Sequence, residues 1–287
     1  MPASKIFILL PVYNRLELTR AFINSLLAQS FSHYHLILID DGSTDGTQDY
    51  VRDKVKDLTV ITGQGNWWCA GAQHQGYCWL KDNKISKDDL VLMINNDTEF
   101  EPDFFQRAMD ILSNNQRTLL LPRVHSKQDD KHVEAGIHAD WHRLTFESAE
   151  DPDKINCLST RGLFLRVGDL MDIGGFHPVL LPHYFADYEL TFRAYRKGYR
   201  LMIEPSLKLD LDESMQEPFV LCRKTPLIEF LKNYFSKRYA NNPIYLFSFV
   251  ALACPLALKP LNFMRIIYGG LITVFRKTFG IYNQKWQ

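Results

Sequence analysis

Of the five cysteines in this 287-residue chain (Cys69, Cys78, Cys157, Cys222 and Cys254), no two are spaced as Cys-x-x-Cys. An odd number without such pairs signals neither a disulfide framework nor a zinc site, and it suits a reducing compartment. Neither a Gly-x-Gly-x-x-Gly run nor a Gly-x-x-x-x-Gly-Lys-Ser/Thr run occurs, so the dinucleotide fingerprint and the P-loop are both missing. Net charge is zero, with 33 Lys/Arg against 33 Asp/Glu, which argues against nucleic acid as a partner. Only five apolar residues, Ile6–Leu10, precede Pro11, too few for the core of a signal peptide. Internal repeats and low-complexity tracts are absent. What remains is the composition of an ordinary globular protein, 46% hydrophobic and 23% charged, long enough for one large domain or a domain with an extension.

The zero net charge hides an asymmetry. Met1–Ser214 carries 23 Lys/Arg and 31 Asp/Glu, whereas Met215–Gln287 carries 10 and 2. An acidic body of residues 1–214 with a basic, apolar tail of residues 215–287 implies two jobs. In the tail, Ile244–Leu258 is a 15-residue apolar-biased run, short of the ~20 residues needed to span a bilayer. Phe263–Phe275 is apolar apart from Arg265, with Lys259, Arg276 and Lys277 around it. Short apolar helices with basic flanks predict peripheral contact with an anionic membrane surface through residues 243–277. The competing expectation is packing on the body or on a second subunit as a homo-oligomer.

Through residue 122, apolar runs alternate with helical patterns. Strands are expected at Lys5–Leu10, His35–Ile39, Leu58–Thr62, Leu90–Ile94 and Thr118–Leu121. Helices are expected at Leu16–Gln29, Thr47–Lys54, Ala70–Lys81 and Asp103–Asn114. This alternation predicts right-handed βαβ units and a parallel sheet with helices on both faces. Residues 1–122 then form a nucleotide-binding half and 123–214 an acceptor half. Val124–Asn156 reads as an irregular or hairpin-containing insert, and Tyr188–Lys197 as a helix stopped by Gly198.

Ligands of such sheets sit beyond the carboxyl ends of the strands, which singles out Pro11–Asn14, Asp40–Ser43 and Asn95–Asp97. The fourth strand runs straight into Asn95, Asn96 and Asp97, and the second into Asp40 and Asp41. A carboxylate at such a place either caps the next turn or holds something. Ser43, Thr44 or Asp45 suffices as a helix cap, leaving two successive carboxylates before it to explain.

The ordered set PVYN (Pro11–Asn14), LLAQSF (Leu26–Phe31), DDGSTDGT (Asp40–Thr47), NND (Asn95–Asp97), GLFLRVGDLMDIGGF (Gly162–Phe176) and ADYELTFRAYRKGYR (Ala186–Arg200) resembles the family-two inverting glycosyltransferases. The resemblance implies the GT-A fold of nucleotide-diphospho-sugar transferases: a Rossmann-like, mostly parallel α/β sheet flanked by helices, here with a C-terminal helical extension. It implies that Pro11, Tyr13, Asn14, Asp40 and Asp41 hold the donor's base and ribose. Asn66, Asn95, Asn96 and Arg161 would help bind the donor. Asp97 would be the last position of the family's "DxD" and ligate Mg²⁺ or Mn²⁺ on the diphosphate, a hard oxygen-loving ion that needs only one or two protein carboxylates. Where the family has a late histidine ligand, Asp210 or Asp212 stands. Asn95 replaces the first aspartate of the motif, which leaves less charge at the metal.

In GNWWCAGAQHQGY (Gly65–Tyr77), Gly65, Asn66, Gly71 and Gly76 are expected to let backbone approach the diphosphate. Its tandem Trp67 and Trp68 resemble the bacterial rhamnosyltransferase-like subset; they would stack on a sugar or pack in the core. Asp187 matches the base of the family's "ED" motif, although Ala186 replaces its glutamate and Glu189 follows two residues on. Arg166 is a second candidate partner of the diphosphate or acceptor, and His125, His132, His138 and His142 are expected to be a polar loop.

The implied function is transfer of a single sugar from a UDP- or dTDP-sugar, rhamnose included, to a hydroxyl of a saccharide or lipid-linked acceptor. The setting would be cell-surface polysaccharide or lipopolysaccharide synthesis at the cytoplasmic face of the membrane. No Gln-x-x-Arg-Trp run occurs, which speaks against a processive synthase. A sugar nucleotidyltransferase would carry a Gly-rich basic loop after the first strand, and PVYNRLELTR has none. A non-catalytic sugar-binding scaffold would not need both Asp97 and Asp187.

Overall fold

A computed structural model describes residues 4–134, 136–214, 219, 221, 222 and 225–280. The remaining residues of the 215–287 extension lie outside the described part. The chain begins with β1 (Ile6–Val12), α1 (Leu16–Leu27), β2 (Tyr34–Asp40), α2 (Thr47–Lys54), β3 (Leu58–Thr62), α3 (Trp68–Asp82) and β4 (Leu90–Met93). It continues through β5 (Thr98–Phe100), α4 (Phe104–Ser113), β6 (Thr118–Ser126) and β7 (His132–Glu134). A two-stranded hairpin of β8 (Gly136–Asp140) and β9 (Thr145–Ala149) follows, as the insert reading anticipated. Then come β10 (Leu163–Arg166), α5 (Val167–Ile173), α6 (Ala186–Arg196) and β11 (Arg200–Leu211).

The main sheet has the order β3-β2-β1-β4-β10-β6-β11-β5, with β7 on β6. β3, β2, β1 and β4 are mutually parallel, so their carboxyl ends share one edge. β6 does not extend that parallel block, contrary to the alternation pattern. β10 inserts antiparallel between β4 and β6, with Leu163 opposite Met93 and Phe164 opposite Leu120. Its Leu163, Phe164 and Leu165 are fully buried, as a strand covered on both faces requires.

Alternation along the strands feeds two cores. Ile6, Ile8, Leu10 and Val12 join Phe22, Leu26 and Phe104 on one face. Phe7 and Leu9 join Ala72, Leu80, Leu170 and Leu190 on the other. Gly76 is where α3 meets the sheet: a Cβ there would stand 2.9 Å from the side chains of Leu9 and Ile39. Its role is helix–sheet packing, not the approach to a diphosphate expected of it.

The extension forms α7 (Leu227–Tyr234), α8 (Pro243–Ala253), a 3₁₀ turn at Leu256–Leu258 and α9 (Lys259–Thr278). Pro243 opens α8 at a position where no amide is needed, and the Asn242 side chain accepts from Ile244 N–H (2.9 Å). The tail packs on the body. Fully buried Phe249 lies against Phe185 (5.1 Å between centroids), Trp141 (5.3 Å) and Phe146 (5.4 Å). The buried Asn262 amide donates to the Trp141 carbonyl (2.9 Å). No described helix is long and apolar enough to cross a membrane. Phe249→Ala is expected to lower unfolding stability by about 4 kcal/mol through the cavity it leaves. Urea titration measures this, and a change below about 1 kcal/mol would mean that the tail is not docked as described.

Candidate active site

The parallel edge of the sheet is organised by carboxylates that accept backbone N–H groups from neighbouring loops and helix starts. Asp41, buried after β2, accepts N–H groups from the loop that starts α3. Its Oδ1 takes Gly65 (2.9 Å) and Asn66 (3.2 Å), and its Oδ2 takes Trp67 (2.8 Å) and Trp68 (3.3 Å). The first amides of a helix lack intrahelical partners and carry its positive end, so a carboxylate there is stabilising. Asp45 does the same for α1, with Oδ2 accepting from Leu16 N–H (2.8 Å) and Oδ1 from Thr47 N–H and hydroxyl. Burial alone would raise its pKa, but the bonds from Thr47 and Leu16 prevail and hold it below the usual carboxylate range. Asp40 Oδ1 accepts from Ser43 N–H (2.8 Å). Asn14 ties the loops together: its N–H donates to Ser43 Oγ (2.8 Å), and its Oδ1 accepts from Thr44 N–H (3.0 Å).

This clamp fixes the walls of the site. Tyr13, 56% exposed, lies beside Gly65: a Cβ on that glycine would come within 3.7 Å of the tyrosine ring. Asn14, Arg15 and Trp68 all take positive φ (56°, 63° and 58°), a strained geometry that clusters at functional sites. The tandem tryptophans divide. Trp67 packs against Gly63 and Gly71 in the core, whereas Trp68 faces His183 (5.6 Å between ring centroids) and has Lys237 Nζ 5.7 Å over it. Burial holds His183 below the ordinary histidine pKa, so its imidazole is neutral at physiological pH.

Three charged candidates from distant segments converge on one thiol. Cys69 feels the charges of Asp187, Arg161 and Asp97, and with burial as the main cause its pKa is pushed up to about 12. A thiol so protonated is no nucleophile. Asp97 is buried at the end of β4, with Arg15 Nη1 3.8 Å from its Oδ2. Asp187 lies in the first turn of α6, its Oδ1 accepting from Tyr188 N–H (2.9 Å). It is therefore inside the helix and not its N-cap residue, which is Phe185.

These strand ends and the helices behind them carry a family signature. The model of Glycosyl transferase family 2 matches residues 7–168. The chain belongs to this family. Over 90 residues it is 32% identical to the Escherichia coli UDP-Glc:alpha-D-GlcNAc-diphosphoundecaprenol beta-1,3-glucosyltransferase WfaP, covering 31% of this chain and 34% of that one. Over 202 residues it is 23% identical to glycosyltransferase AglE of Haloferax volcanii, covering 68% and 62%. Each match thus spans less than two thirds of the relative's own length. S. aureus TarS 1–349 in complex with UDP-GlcNAc superposes with a TM-score of 0.59 at 15% identity, covering 98% of this chain and 74% of that one. The GT-A fold and membership of a glycosyltransferase family follow.

Within that family frame, several expected site residues have other work. Asn96 is buried and its amide donates to Thr19 Oγ1 of α1 (2.9 Å). Asp210 pairs across the strands with Glu99 and is bound by Lys208 (3.3 Å). Asp212, whose N–H donates to the Asp97 carbonyl (2.8 Å), is the acidic residue beside Asp97. Its own Oδ1 accepts from Ser214 N–H and from Gln128. Glu189 is buried in a two-point pairing with Arg193, which also holds the Ile173 and Gly175 carbonyls, so it does not replace the glutamate lost at Ala186. Arg166 donates to the Asn115 and Leu112 carbonyls. Asn66 is exposed, and Asn95 half-buried with its carbonyl accepting from Thr98. Pattern reading passed over Arg15, Cys69, His183 and Lys237; PVYNR offered Arg15, but its left-handed backbone had no local signal.

A metal fits this edge only in a spare form. Among the described residues no group of three or more His, Cys, Asp or Glu is placed to hold a metal ion together. The buried Asp97 carboxylate is a single hard oxygen donor, which suffices for Mg²⁺ or Mn²⁺ when substrate phosphates complete the shell.

Replacing Asp41 by Asn should unseat the clamp, because an amide NH₂ would then face two of the four N–H donors. Hydrogen exchange of the backbone over residues 65–68 is expected to speed up by about tenfold or more, since each lost bond to the carboxylate is worth about 1 kcal/mol or more. Unaltered protection would refute the trans-capping role.

Proposed function

We propose that this chain is an inverting glycosyltransferase that moves one sugar from a UDP- or dTDP-sugar to a hydroxyl of a saccharide or lipid-linked acceptor. The observation that carries the reading is the convergence of Asp97, Arg161 and Asp187 around Cys69, where the parallel strands end. UDP and UDP-GlcNAc in the TarS complexes, and the diphosphoundecaprenol acceptor in the WfaP name, support the donor and acceptor classes.

The base and ribose would rest at Pro11, Tyr13, Asp40 and Asp41, where Tyr13 offers an exposed ring beside the Gly65 backbone. Asp97 would hold Mg²⁺ or Mn²⁺, which when bound neutralises charge on the leaving nucleoside diphosphate. Arg15 and Arg161 supply fixed positive charge in the same place. Asp187 takes the proton from the acceptor hydroxyl as that oxygen attacks the anomeric carbon opposite the leaving group, in one displacement that inverts the centre. Its partner at the family's glutamate position is Ala186, so proton transfer rests on one carboxylate. Trp68 and the neutral His183 would form the wall against which the acceptor sugar lies. Five free thiols and a nucleotide-sugar donor suit a cytoplasmic enzyme at the inner face of the cell membrane.

Asp187→Asn keeps the shape and removes the base. Turnover with a UDP-sugar is expected to fall by about 100-fold or more, while the rise in melting temperature caused by UDP with Mn²⁺ stays unchanged. A variant that turns over at the wild-type rate would remove Asp187 from its role. Asp97→Asn should instead abolish the Mn²⁺-dependent part of that shift; a shift as large as in the wild type would dismiss the metal site.

A further inference from the structure

Helices α7, α8 and α9 enclose an open groove of about 500 Å³, lined by Tyr234, Phe235, Phe247, Ile266, Gly270 and Leu271 among others. Its lining offers almost nothing to hydrogen-bond. The Ser248 hydroxyl is spent on the Ile244 carbonyl (3.0 Å), and that of Tyr234 interacts with Thr273. Beside the groove, α9 turns Leu261, Met264, Tyr268, Leu271 and Phe275 outward, each 44% to 69% exposed. This spacing of three and four residues is one helix face. A continuous apolar surface of this kind left in water is costly, and it marks a binding site.

Position and charge say what binds. Phe235 lines the groove, and two residues further on Lys237 sets its ammonium over Trp68 in the wall of the transfer site. Residues 225–280 carry seven Lys/Arg and only Glu229 as an acid. The matching ligand has a hydrocarbon chain, an anionic head at its end, and a sugar beyond the head. A flat bilayer would meet the outward stripe of α9 but leave the concave groove empty. A second copy would bring seven cations against seven.

Resting on the glycosyltransferase reading above, we propose that the groove holds the hydrocarbon chain of a lipid-linked saccharide acceptor. Its anionic head lies beside Lys237, and its sugar hydroxyl is delivered past Trp68 to Asp187. The extension is then part of the acceptor site.

The test uses the full chain in vesicle-free buffer, with farnesyl diphosphate as a soluble lipid diphosphate and inorganic pyrophosphate as the head alone, followed by calorimetry. Farnesyl diphosphate is expected to bind at least about tenfold tighter than pyrophosphate, which corresponds to burying roughly two methylenes or more. Gly270→Phe should plug the groove and remove that advantage; a Cβ at residue 270 has only the Tyr234 hydroxyl near it, at 3.6 Å. Leu271→Gln provides a milder variant with the same expected direction should the first not fold. Equal affinity for the two ligands, or an advantage that survives in the folded variants, overturns the proposal. So does a chain that partitions onto phosphatidylglycerol vesicles or dimerises through this face while ignoring farnesyl diphosphate. UDP with Mn²⁺ separates the two readings. A UDP shift without farnesyl binding sinks the groove alone, whereas no UDP shift sinks the transferase reading on which it rests.

Discussion

A single buried carboxylate holds the parallel edge of this protein together. Asp41 takes four backbone N–H groups of residues 65–68, two on each oxygen, and so fastens the start of α3 to the end of β2. Without it, those four N–H groups at the positive end of α3 would lose the acceptor that fixes the loop. With Asp41 in place, Trp67 is seated in the core, Trp68 is turned to positive φ, and Cys69 is placed among Asp97, Arg161 and Asp187. The geometry of the site is thus inherited from a capping interaction that crosses between two loops.

Asp45 repeats the device for α1, and Asn14 bridges the two loops through Ser43 and Thr44. The run DDGSTDGT is in this sense a structural hub. Its acidic residues brace the surface on which the nucleotide is proposed to rest. The same economy governs the acceptor side, where Glu189, Arg193 and the carbonyls of Ile173 and Gly175 hold the turn before α6. Asp187 lies in the first turn of a helix that is pinned from behind, and the base proposed there would keep its orientation because it stands on a rigid element.

The C-terminal extension is docked on the body and reaches the edge of the candidate site. Phe249 and Asn262 anchor it to the aromatic surface around Trp141 and Phe185, while Lys237 reaches Trp68. The anchored side of α8 and α9 is buried, and the opposite side keeps the apolar groove and stripe. Docking on the body and offering an apolar face are compatible because they use different helix faces.

Local pattern determined a great deal about this protein. Five of the six strands and the four helices of the first half follow from apolar runs and helical spacing, differing from expectation mostly at their ends, while the three-residue β5 (Thr98–Phe100) left no such pattern. The strand ends and the insert hairpin were legible from composition, whereas Asp97, Arg161 and Asp187 were singled out only with the help of the family resemblance. Tertiary structure decided what those residues touch. That β10 separates β4 from β6, that Asp41 caps α3 instead of its own helix, that Asn96 turns into the core, and that Asp212 and not Asp210 abuts Asp97 all depend on partners 20 to over 100 positions away. Propensity and periodicity are properties of a few neighbouring residues, whereas a hydrogen bond goes to whichever donor the packed sheet and helices bring within about 3 Å.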